Sequence, residues 1–226
     1  MEKKPSPNNL EADIQPRQFD IFQRLSKASG KIFSIIKLLI GLCLLIFVYA
    51  SSKIFLQEFN FIDKKLQGYF WWGIIWFLLI YLFIWEPALV YQKGHRILEL
   101  IFSFFKPLVR VAPYVLPIYT IILFFAYLSL SLFIKSNWLV EYFIFSLGFS
   151  LALHLVFCAK SIRTRKDFLK ANYLFGFSFV YVINVILLAF FLNIIFKEFS
   201  LVSFFNKSWQ LATGIFYSVF KQLFLR

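Results

Sequence analysis

Four residues stand where side chains of their kind can do chemistry: Lys37, Glu86, His154 and Asn184, each set inside a long apolar run. An ionisable or amide group in hydrocarbon is expensive unless something pairs with it, so each marks a candidate functional position. Lys37 lies six residues beyond Lys31, Glu86 seven before Lys93 and His154 six before Lys160. At about 1.5 Å of helix per residue, all three fall roughly 9 to 10 Å inside one charged boundary. Tyr119 and Ser178 fall a little deeper on the same side. If their helices touch, Glu86 pairs with Lys37 or with protonated His154, and the group forms a structural clasp or a proton-sensitive gate. The plainer expectation is that Lys37 snorkels to the headgroups, Glu86 ends a helix released by Pro87 and His154 bonds a neighbouring carbonyl. Asn184 then serves as a contact between helices. Glu141, one turn inside the opposite boundary, reads as a snorkelling charge.

Other chemistry finds little footing. The only histidines are His95 and His154, and the only cysteines, Cys43 and Cys158, sit at opposite ends of different apolar runs. That spacing makes neither a disulfide framework nor a metal cluster. Paired carboxylates, a Gly-rich phosphate loop and a Ser/His/Asp set are all missing from the sequence. No catalytic residue, metal ligand or cofactor is therefore expected. Alternating-access transport is disfavoured as well, because the chain has no internal repeat and no matched pair of broken apolar segments.

The elements that carry these residues follow from composition. The chain is 61% hydrophobic, 22% aromatic and 15% charged, where soluble domains carry roughly 25% charged residues. Apolar runs point to an all-α, polytopic membrane bundle with five spans, at about 32–52, 67–91, 113–134, 138–159 and 171–196. The tight turn Lys135-Ser136-Asn137 makes the third and fourth spans antiparallel neighbours. Before the first span, residues 1–18 read as a disordered tail and 19–31 as an amphipathic juxtamembrane segment. Residues 96–106 have the pattern of a helix lying in the interface.

Residues 200–226 are amphipathic. Ser203, Lys207, Gln210, Thr213, Tyr217 and Lys221 form a polar stripe opposite Phe204, Trp209 and Phe216. The preferred reading is a helix on the outer surface; the other is a sixth span whose stripe lines a pore.

Charge orients the bundle. The formal net charge is +13, but its Lys and Arg lie in the tail and in short connections, which suits anionic lipid headgroups better than nucleic acid. Lys93, Arg96, Lys106, Arg110, Lys160, Arg163, Arg165, Lys166 and Lys170 form the basic face together with the tail. The inner segments collect fifteen Lys/Arg against three (Lys64, Lys65 and Lys135) in the outer loops. Short cationic loops stay cytoplasmic, so the N-terminus is expected inside. A bias toward Phe, Ile and Lys looks like an A+T-rich, bacterial genome, hence an inner membrane. With thirty-three Phe and only eight Gly, the helices are expected to have few close backbone contacts and to seek partners in a larger complex. The functional expectation is a non-enzymatic scaffold or accessory subunit of a membrane complex, binding anionic lipid and protein partners or copies of itself. The alternative is a small oligomeric channel, pore or transporter component.

Overall fold

The computed structural model describes residues 8–83, 96, 100, 115–164 and 173–224, with side chains from residue 32 onward except 34, 163 and 164. Its elements are α1 (Asn8–Phe59), α2 (Lys64–Phe83), α3 (Ile118–Ser131), α4 (Asn137–Thr164), α5 (Tyr173–Ile195) and α6 (Leu201–Phe224). Among the described residues there is no strand. Helices satisfy their backbone groups internally, the one way an open chain of such apolar residues can bury its amides in hydrocarbon. Among the described residues, four segments are long and apolar enough to cross a membrane: Ile35–Phe59, Lys64–Phe83, Asn137–Ile162 and Tyr173–Ile195.

Three boundaries differ from the expected ones. The backbone is helical from Asn8, where a disordered tail was expected up to residue 18; a helix once nucleated gains a hydrogen bond for each residue it adds. The third apolar run yields a helix of only 14 residues, Ile118–Ser131. Pro117, which lacks a backbone donor, stands at its start. At the other end of the fourth run, α4 continues through Lys160 to Thr164 into the basic stretch. The described part of the second run ends at Phe83, so Glu86 and Pro87 lie outside the described residues, as do the interfacial segment's 97–99 and 101–106.

Contacts along the helices give their directions. Thr120 meets Ser150 and Tyr127 stacks on Phe143, so α3 and α4 are antiparallel, as the short turn requires. Lys65 meets Glu141 while Phe77 packs on Phe149, so α2 and α4 run parallel. Gly41 abuts the Phe175 backbone and Ser52 Oγ lies 2.8 Å from Tyr181 Oη, so α1 and α5 are parallel too. The fifth helix is central, touching α1, α4 and α6, and Phe191 stacks on Phe124 of α3 at 4.2 Å.

The last helix departs most from expectation. It lies lengthwise against α1 and antiparallel to it, with Ser203 and Lys207 at Glu58 and Phe216 at Phe47. Glu58 and Phe47 are eleven residues apart, about 16 Å of helix. Phe204, Ser208 and Ala212 are buried on one face, and their small size at 208 and 212 lets the helix close on its neighbours. A helix lying across the end of the bundle could not make these contacts.

Glycines also do more than their number promised. A Cβ on Gly73 would collide with the Phe145 carbonyl oxygen, and one on Gly148 with the Phe70 carbonyl oxygen. The α2–α4 crossing is thus a backbone-to-backbone contact of the kind that holds helices together in lipid. Gly148→Val should destabilise the protein by about 3 kcal/mol or more through overpacking, read as a fall in melting temperature in mild detergent. Gly68→Ala and Gly214→Ala, where the added atom meets nothing within 4 Å, should leave it unchanged or slightly raised.

Candidate functional site

The site is built on a break in the backbone. The chain bends at Leu116 and Pro117 before α3 begins, which turns the Val115 carbonyl sideways into the bundle. Asn184, fully buried at the midpoint of α5, donates from Nδ2 to that carbonyl at 3.1 Å and to the Val180 carbonyl of its own helix at 2.8 Å. His154 of α4, also buried, hydrogen-bonds the Val115 backbone as well. One turn further along α4, Cys158 Sγ lies 3.4 Å from His154 Nε2. Val115, Cys158, Ile162 and Val180 pack as one apolar cluster around this node. A second polar pair, Thr120 Oγ1 and Ser150 Oγ at 3.0 Å, ties α3 to α4 on the side toward Asn137.

Of the four residues singled out by their chemistry, the structure therefore joins two, His154 and Asn184, through one carbonyl. Lys37 is buried on α1, its Nζ 4.3 Å from the centroid of the Phe33 ring one turn away; a cation over an aromatic face is a favourable contact where water is scarce. Glu86 lies outside the described residues. Among the basic positions, Arg96 and Lys160 are exposed and Arg163 belongs to the last turn of α4. Lys93, Lys106, Arg110, Arg165, Lys166 and Lys170 lie outside the described residues. Among the described residues, no three His, Cys, Asp or Glu side chains gather as metal ligands would.

At the other end of the bundle is a cluster that sequence reasoning missed. Glu58 belongs to the last turn of α1, where a loop was expected, and is nearly fully buried. Its Oε1 accepts from Lys207 Nζ at 2.9 Å and from Ser203 Oγ at 2.7 Å. Two members of the proposed pore stripe are thus held by a carboxylate of the same chain. The remaining four, Gln210, Thr213, Tyr217 and Lys221, are exposed; Thr213 spends its hydroxyl on the Trp209 carbonyl. A signal for Glu58 was present: Ser51, Ile54, Phe55 and Glu58 recur at helical spacing and all four are buried. Glu141, expected to snorkel, instead pairs with Lys65 at 2.6 Å across the α2–α4 interface.

No protein-family model matches the chain, and neither the curated proteins nor the solved structures contain a significant match.

The arrangement supports structural work by both clusters, and mutation separates them. Asn184→Val should destabilise by about 1 kcal/mol, the scale of a buried hydrogen bond between membrane helices, seen as a lower melting temperature in detergent. In a double-mutant cycle, Glu58→Gln and Lys207→Met should show a coupling of about 1 kcal/mol, discounted because Lys207 is half-exposed. Strict additivity would mean that the ion pair holds nothing.

Proposed function

We propose that this chain is a non-enzymatic, multi-pass protein of a bacterial inner membrane that serves as a scaffold or accessory subunit of a membrane complex. In this reading all six helices cross, with both termini cytoplasmic. The lengthwise packing of α6 on α1 supports it, as does its length of 24 residues, about 36 Å. An inner C-terminus also adds Lys221 and Arg226 to the cationic side, in keeping with the bias of Lys and Arg toward cytoplasmic segments. That basic face would meet anionic lipid and partner proteins.

The observation that carries the functional reading is the outward face of α6. Gln210 and Tyr217, in the middle turns, point away from the bundle on a helix that runs beside a membrane-length segment. At hydrocarbon depth, lipid tails cannot hydrogen-bond such groups, so a protein surface must cover them. A partner subunit does this most simply. The same stripe gives the pore its claim, with copies of α6 surrounding water, but Glu58 already occupies its outer end through Ser203 and Lys207.

A photo-crosslinker placed at Gln210 or Tyr217 in native membranes should give one discrete heterologous protein adduct. Adducts only between copies of this chain, together with a conductance whose ion selectivity changes in Lys221→Glu, would replace the scaffold by the pore.

A further inference from the structure

Between α1, α5 and α6 lies a groove of about 380 Å³, lined chiefly by Phe47, Val182, Ile186, Phe204 and Trp209. One group in it is out of keeping with the rest. Ser208 lines the groove at 8% exposure, and its hydroxyl has no hydrogen-bond partner among the described residues. The neighbouring hydroxyl, Ser51 Oγ, has turned onto the Val48 carbonyl of its own helix at 3.2 Å. A buried hydroxyl without a partner is costly, and a serine in a helix can reach the carbonyl one turn back. Ser208 does not, and its donor is left inside the groove.

The occupant that fits is defined by three features. The lining is apolar, so water, which needs two to four polar partners, is a poor tenant. The space is far too narrow for a helix, whose diameter with side chains is about 10 Å. The single free donor calls for an acceptor that has no proton of its own. An acyl chain ending in an ester carbonyl meets all three conditions. The depth also agrees: Ser208 directly follows Lys207 and is five residues along α6 from Ser203, so it lies about 2 to 8 Å below the two residues that hold Glu58, where glycerol esters lie beneath the charged surface.

We propose that this groove binds one acyl chain of a membrane phospholipid, with Ser208 Oγ donating to its ester carbonyl. The inference rests on α6 crossing the bilayer beside α1, as in the functional reading above. Asn206, at the groove's edge, stands next to the emerging glycerol backbone.

The test uses the full-length protein extracted in mild detergent, with native mass spectrometry to weigh bound lipid and titration with phosphatidylglycerol after delipidation. The wild type should retain one phospholipid. Ser208→Ala should weaken its affinity about fivefold, the worth of one hydrogen bond, without lowering the melting temperature of the delipidated protein, since it removes an unpaired donor. Ser51→Leu, which fills the groove, should abolish retention. If Ser51→Leu fails to fold, the Ser208→Ala titration still decides. Unchanged affinity in Ser208→Ala, a bound free fatty acid in place of the phospholipid, or no retained lipid would overturn the proposal. Alkaline carbonate washing of membranes separates this from the reading beneath it. A protein that stays in the membrane but holds no lipid loses only the groove, while one released to the aqueous phase loses the membrane placement too.

Discussion

The carbonyl of Val115 is the constraint that the rest of the bundle accommodates. Pro117 breaks the third apolar run well inside the assembly, and a broken backbone at that depth is tolerated only where protein supplies the missing hydrogen bonds. Asn184 and His154 supply them from two different helices. This fixes α5 against the break on one side and α4 on the other, and places α5 between α4 and the α1–α6 pair. Its fully buried amide must face α3 and α4, so its opposite side is left to α1 and α6. One amide oxygen, Asn184 Oδ1, remains without a partner among the described residues, so the node is tight but not saturated.

Two other devices hold what the node does not reach. At the α2–α4 crossing, Gly73 and Gly148 remove side chains so that backbones touch, and the Lys65–Glu141 pair sets the register at one end. At the α1–α6 contact, Glu58 sets the register through Lys207 and Ser203, and Phe47 packs between Trp209 and Phe216 further along. Each interface combines a polar pin near the charged boundary with apolar or backbone packing at depth. In lipid this division is expected, because apolar burial between helices gains little over burial in acyl chains.

Helix-forming runs were legible in the sequence because twenty apolar residues in a row admit few alternatives. The segment 171–196 returned almost unchanged as Tyr173–Ile195, and the tight turn at Lys135 gave the antiparallel α3–α4 pair. What could not be read was which helix lies beside which. Lys207 and Glu58 are 149 positions apart, and nothing in either segment names the other. The glycine crossing was half hidden for a related reason: Gly148 and Ala152 carry the small-residue spacing on α4, but Gly73 has no such companion on α2, so nothing in either segment named the other. The packing of α6 on α1 could not be read because its hydropathy is that of an interfacial helix, while its buried face of Phe204, Ser208 and Ala212 has meaning only beside α1.

The order of pairing has a consequence for how the chain is made. The first helix finds its main neighbours in α5 and α6, which follow it in the chain by more than a hundred residues, and α2 packs mainly on α4. Synthesis therefore leaves α1 and α2 waiting, each with an unoccupied seam, until partners more than a hundred and about seventy residues downstream respectively have emerged. Such late, long-range closure makes for slow assembly and exposes intermediates to capture by insertion factors and proteases. In this chain α1 becomes secure only when α5 and α6 arrive.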